Sequence, residues 1–196
     1  MAGLRERKKQ QTHEALSRAA VALFLERGFD EVSVADIAAA AEVSKPTLFK
    51  YFPTKPDLVL HRIADHKREA ARVVLEFSPG SPIEALHRHF VAGLEQRDPV
   101  TGLNDDPEVL AYHRLVFTTP ALVARMYQLM VEDEQALADA LGNDLAAAVS
   151  AAQLVSVQRV LARRNWQALV DGARADDLYP VARVEADEAF VRLALG

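Results

Sequence analysis

Three helix-start signals crowd into residues 33–54, and this crowding restricts the chain more than any other feature of its 196 residues. Ser33 precedes Val34 to Ala41 and has Asp36 behind it, an acidic residue favoured in a first turn. Ser44 precedes Lys45 to Phe52, with Pro46 in the first turn, where its missing N–H costs nothing. Pro53 is a breaker, and Thr54 caps a further segment that starts at Lys55. Helices of about two turns do not hold their shape alone in water. The flanks supply the support. A helix is predicted over residues 5–27, with Leu16, Ala19, Ala20, Leu23 and Phe24 at helical spacing and Gly28 as its terminator. A long one is predicted from Lys55 to about Phe77, through Leu58, Ile63, Ala70, Val73 and Val74.

Two short helices parted by Glu42, Val43 and Ser44 and braced on each side form the arrangement of a helix-turn-helix. In that motif the second helix enters the major groove of DNA while its neighbours hold the phosphate backbone. Lys45, Thr47 and Lys50 have donors for phosphates or base edges, Tyr51 has a hydroxyl for a phosphate, and Lys55 begins the next helix. Ser33 and Ser44, at the two N-caps, complete the candidate DNA-contacting set. Ile37, Ala38, Ala41, Val43, Leu48 and Phe52 have the spacing of the core beneath. The net charge of −5 hides a local excess of cations, since residues 1–55 carry nine Lys and Arg against seven acids. Arg5, Arg7, Lys8 and Lys9 form one cluster and Lys45, Lys50 and Lys55 another, and such patches bind phosphate even within an acidic protein.

Ser78-Pro79-Gly80-Ser81-Pro82 is the clearest break in the chain. Helices are predicted beyond it over 82–97, 107–117, 120–141, 144–172 and 180–194, with a turn-rich loop over 98–106. No segment alternates like a strand, so the expected fold is all-α: a DNA-reading part over residues 1–55, and a helical bundle over 56–196 joined to it by the long helix. Cys is absent, which excludes disulfides, thiolate metal sites and cysteine nucleophiles. His61, Asp65 and His66, and His87 with His89, lack the spacing of a complete metal site. There is no phosphate-binding glycine loop, HExxH or serine elbow, so neither catalysis, a metal nor a cofactor is expected. The polar, basic amino end and the lack of an apolar run near 20 residues argue against a signal peptide or membrane span, and a cytoplasmic protein is expected.

Gly28-Phe29, Ser33-Val34-Ala35-Asp36-Ile37-Ala38, the run from Val43 to Phe52 and Lys55-Pro56-Asp57-Leu58 together resemble the TetR family of one-component transcriptional regulators. The resemblance covers about residues 8–60, and Thr47-Leu48-Phe49-Lys50-Tyr51-Phe52-Pro53-Thr54-Lys55 is its most specific part. It implies a homodimeric repressor on a palindromic operator, released by a small-molecule effector that binds the helical remainder and acts through the helix starting at Lys55. A DNA-binding protein whose helical part serves a protein partner is the alternative. Glu42 departs from the family, which usually has a small turn residue there; a left-handed Glu costs about 1 kcal/mol, and its carboxylate would repel phosphate. His87, Phe90, Tyr112, His113, Phe117, Tyr127, Gln153 and Trp166, polar or aromatic positions in apolar helices, are the candidate effector contacts. Small residues along 144–172 allow close helix packing, and Leu154, Val157, Leu161 and Phe190 are the candidate dimer contacts.

Overall fold

The computed structural model describes residues 3–64 and 66–195, and within them every side chain except those of Leu4, Arg5, Glu6, Arg62, Ala64 and Leu195. Arg5 of the amino-terminal basic cluster and Asp65 beside His66 therefore lie outside the described side chains. Helices alone make up the regular structure of the described residues, as the sequence led one to expect. They are α1 (Leu4–Arg27), α2 (Val34–Ala40), α3 (Lys45–Tyr51), α4 (Asp57–Ala64), α5 (Glu69–Glu76), α6 (Pro82–Glu95), α7 (Pro107–Thr118), α8 (Pro120–Leu141), α9 (Leu145–Val170) and α10 (Ala175–Leu195). A 3-10 turn at Pro99–Thr101 lies between α6 and α7.

The chain divides into two compact units, Met1–Asp65 with Ala111–Met126, and His66–Leu110 with Tyr127–Gly196. The first unit thus runs past the boundary expected at residue 55. Leu58, Val59 and Leu60 of α4 are buried, and α1 packs on α4 as well as on α2. Two later residues fasten onto the same helix: Tyr112 donates its hydroxyl to the Val59 carbonyl at 2.9 Å, and Arg125 Nε donates to Asp57 Oδ1 at 2.8 Å. Leu16, Ala20 and Phe24 of α1, Ile37 and Ala38 of α2, and Leu48 and Phe52 at α3 are the other buried apolar residues of this helical cluster. Burying each large side chain among them stabilises the fold by about 1.5–3 kcal/mol relative to leaving it exposed.

The long helix expected from Lys55 to Phe77 is two helices. α4 stops at Ala64, and Arg68, the residue before α5, takes left-handed backbone angles, φ 61°. The sequence from 64 to 69 has neither Gly nor Pro to announce this. The turn has partners 65 residues away: the Arg68 N–H donates to Asp133 Oδ1 at 3.0 Å, and Lys67 pairs with Glu132. The last helix also differs from its expected start at 180. It begins at Ala175, whose N–H donates to Asp105 Oδ2 at 2.9 Å, and Pro180 lies inside it.

The second unit has its core where α6, α9 and α10 meet, with Leu86, Phe90, Leu94, Leu137, Ala151, Leu154, Leu161, Ala186 and Phe190 all buried. The loop after α6 closes onto α9 at Gly102, where a Cβ would lie 1.9 Å from the Ala162 carbonyl oxygen and φ is +73°. Only glycine permits that approach. Asn165 Nδ2 then donates to the Thr101 carbonyl at 2.9 Å.

This core corrects the expected dimer contacts. Leu154 (2% exposed), Leu161 (5%) and Phe190 (2%) face the inside of their own unit, and Val157 packs against them. The large apolar residues exposed on α9 and α10 are Leu145, Val149, Val160, Val170, Val181, Val184 and Val191. An apolar stripe in a sequence says that a helix packs, not on which chain it packs. By length and composition α9 also qualifies as a membrane span, although charged residues interrupt its apolar run. Its Ala151, Leu154, Leu161 and Leu169 belong to the core, and Arg159, Arg163 and Arg164 fill its second half.

Candidate nucleic-acid interface

The helix-turn-helix is assembled from caps. Ser33 Oγ accepts from the Asp36 N–H at 3.2 Å, and Asp36 Oδ2 accepts from the Ser33 N–H at 2.9 Å and its hydroxyl at 2.7 Å. This reciprocal box satisfies the first free donors of α2. The Ser33 hydroxyl, then its N–H, hold the Asp36 carboxyl below its usual range. The turn after α2 is shaped by Glu42 at φ 54°, with the Glu42 N–H on the Ala39 carbonyl and the Val43 N–H on that of Ala38. Glu42 thus takes the left-handed place normally given to a small residue, and its side chain is exposed.

Ser44 then caps α3 by accepting from the Thr47 N–H at 3.3 Å, and the two hydroxyls are 2.8 Å apart. Along α3, Leu48 is fully buried, with Phe52 buried just past the helix end. The opposite side shows Lys45, Pro46, Phe49 and Lys50 to solvent, with Thr47 and Tyr51 half-buried at its edges. Positions four apart share a face, so Lys45 stands over Phe49 and Pro46 over Lys50. Phe49 is 47% exposed, a large aromatic side chain that the sequence reading passed over as part of the motif. Its signal was there: once Leu48 and Phe52 point inward, Phe49 cannot.

The carboxyl end of α3 rests on α1. The His13 ring stacks on Phe52 with centroids 4.2 Å apart, lies 6.4 Å from the Tyr51 ring and meets the His61 ring edge-on at 4.9 Å. Ser17 donates its only hydroxyl proton to the Leu58 carbonyl at 2.8 Å, so it accepts from His61 Nδ1, also at 2.8 Å. Arg7, Lys8 and Lys9 are exposed on α1 near its start, which makes the basic cluster part of a helix rather than a tail.

Lys55 is placed differently from the other candidates. Its ammonium donates to the Phe29 carbonyl at 2.5 Å and lies 4.3 Å from the Phe29 ring centroid and 5.4 Å from that of Phe24. It is committed inside the unit. At the next cap Thr54 donates its N–H and hydroxyl to Asp57 Oδ2. Burial pushes the Asp57 carboxyl up, but hydrogen bonds from Thr54 and Arg125 outweigh it and leave the group below its usual range.

The expected effector contacts fall in both units. Tyr112, His113 and Phe117 belong to the first unit, whereas His87, Phe90, Tyr127, Gln153 and Trp166 belong to the second. Phe90 and Trp166 are buried, His87 Nε2 bonds Asp187 at 2.7 Å, and Tyr127 and Gln153 are exposed. A groove of about 950 Å³ between α5 and α8 has Ala71, Leu75, Ala136 and Ala140 along it, and none of the eight expected residues lines it. Gln153 lines a smaller cleft of about 360 Å³. Among the described residues no three His, Cys, Asp or Glu side chains gather to hold a metal.

A capped two-turn helix with cations and an aromatic ring outward, held by a second short helix and two longer ones, defines a helix-turn-helix DNA-binding regulator. Residues 16–61 match the model of "Bacterial regulatory proteins, tetR family", which supports the TetR resemblance of the helix-turn-helix. It is 36% identical over 139 residues to the HTH-type transcriptional regulator TcmR of Streptomyces glaucescens, an alignment covering 69% of this chain and 61% of that protein. The chain therefore spans less than two thirds of that relative's length. In fold it is similar to a TetR-family regulator of Streptomyces coelicolor A3, with a TM-score of 0.61, 22% identity and coverage of 94% and 96% of the two chains. It is also similar to NalD of Pseudomonas aeruginosa, described as the secondary repressor of the MexAB-OprM multidrug efflux pump, with a TM-score of 0.61, 16% identity and coverage of 92% and 97%.

Proposed function

We propose that this chain is a transcriptional repressor that binds a palindromic operator as a homodimer and is released by a small, largely apolar effector. The observation that carries the reading is α3, with Leu48 inward and Lys45, Phe49 and Lys50 outward behind a Ser44 cap. In this reading Lys45, Lys50 and Tyr51 hold phosphates, Thr47 and Phe49 meet base edges, and Ser33 and Ser44 set the helix ends that approach the backbone. Lys55 acts through the Phe29 carbonyl, as a positioning residue. NalD, of similar fold, is named a repressor, which supports the same direction of control here. The exposed valines of α9 and α10 form the dimer face, and the protein works in the cytoplasm, where its DNA is. Tyr112, His113 and Phe117 are the effector contacts retained from the sequence.

Selection of bound fragments from random duplex DNA tests this reading. The expected product is an inverted repeat with half-site centres about 34–36 Å apart or a multiple of that. Fragments carrying a single half-site or a direct repeat would overturn the two-fold arrangement. Effector and operator must also weaken each other by the same factor, because linkage between binding sites is reciprocal.

A further inference from the structure

His113 is a buried polar residue of the first unit, 7% exposed on α7, and its Nδ1 is left without a hydrogen-bond partner among the described residues. A buried polar atom without a partner costs stability that an apolar side chain of similar size would not. The hydroxyl of adjacent Tyr112 is committed elsewhere: its only proton goes to the Val59 carbonyl. An orphaned N–H is tolerated less well than an orphaned lone pair, so the favoured tautomer leaves Nδ1 as a bare acceptor. Rings flank it on the same helix, Tyr112 with its centroid 6.0 Å away and Phe117, one turn on, at 5.7 Å. Burial also lowers the imidazole pKa to about 4, so at neutral pH the ring has no charge with which to attract an anion.

We infer that His113 is the polar anchor of a ligand site in the first unit, which takes a molecule with a flat apolar body and a hydroxyl or phenol donor. This rests on the effector reading above and narrows it. The ligand's O–H bonds to Nδ1, and its apolar body lies along the Tyr112 and Phe117 rings. A carboxylate at neutral pH has no proton to give and gains nothing here.

The probes are 2-naphthol and naphthalene, which differ only in the donor. Added to the full chain labelled with 15N-histidine, 2-naphthol should shift the His113 Nδ1 resonance from its bare-acceptor position toward the protonated range, and naphthalene should not. Calorimetry should give about tenfold tighter binding of 2-naphthol, and His113→Phe should bind the two alike. No binding of 2-naphthol, an unmoved Nδ1 resonance or equal affinities in the wild type would each overturn the site. The resonance measurement needs no variant to fold. Ala136→Trp, which fills the groove between α5 and α8, should leave 2-naphthol binding unchanged; its loss there would move the site to the groove and overturn the assignment to His113. Operator binding is measured separately. If 2-naphthol meets His113 as described but leaves DNA affinity untouched, the site stands and the effector reading fails.

Discussion

Lys55 and Phe29 are joined twice, by a hydrogen bond of 2.5 Å from the ammonium to the carbonyl and by the same ammonium 4.3 Å from the ring centroid. The pair ties the turn before α2 to the residues before α4, and so fixes both ends of the segment that contains α2 and α3.

Replacing Lys55 by Met keeps the apolar stem and removes the donor, leaving the Phe29 carbonyl without it. The melting transition should fall by the equivalent of about 1–3 kcal/mol, and operator affinity should fall with it. The slope of log affinity against log salt should not change, because no phosphate contact is lost. A slope smaller by about one unit would put the ammonium on the DNA instead.

Lys45→Ala and Lys50→Ala should each lower that slope by about 0.9 and weaken binding to all sequences alike. Phe49→Ala should leave the slope alone and relax the preference at one base pair, by about 1–3 kcal/mol. Competition between operator variants at several salt concentrations separates the two effects. A uniform loss from Phe49→Ala would remove it from base reading.

Val160→Glu combined with Val184→Glu should yield monomers with undiminished helicity, since both side chains are about half exposed. Leu161→Glu, by contrast, places a charge in the core of the second unit and should unfold it. Sedimentation and circular dichroism distinguish these results. An intact dimer in the double variant would place the interface on another face.

Acid should weaken the fold through His113. In the unfolded chain its imidazole takes a proton near 6.5, whereas in the native state burial delays this to about 4. The unfolded state therefore binds more protons between these values, and stability falls as pH drops from about 6.5 toward 4. The loss approaches about 3 kcal/mol as an upper bound. His113→Phe should flatten this part of the stability profile while leaving the steeper loss below pH 4, to which Asp57 contributes. Parallel denaturant titrations of the two proteins at pH 7, 6, 5 and 4.5 check it, and identical profiles would refute the buried neutral state.

What the sequence determined by itself is what neighbouring residues decide. Ser33 with Asp36 and Ser44 with Thr47 each act over three residues, and both caps formed as the residue types require. The Thr54 hydroxyl instead donates to the Asp57 carboxylate, and the helix starts at Asp57, not Lys55. The inward direction of Leu48 and Phe52, and with it the outward direction of Lys45 and Lys50, follows from helical spacing alone. Tertiary structure decided the rest, because the deciding partners are distant in the chain. Lys55 finds its carbonyl 26 residues back, and in place of the helix expected through 55–77 there are two, the second preceded by Arg68, whose N–H is bonded to a carboxylate 65 residues on. Leu154, Leu161 and Phe190 had the pattern of an interface and are core, because α6 and α10 pack over that side of α9. Caps and periodicity are local energies read along the chain; the choice among apolar partners depends on which distant segments fold onto one another, and no short window of sequence contains it.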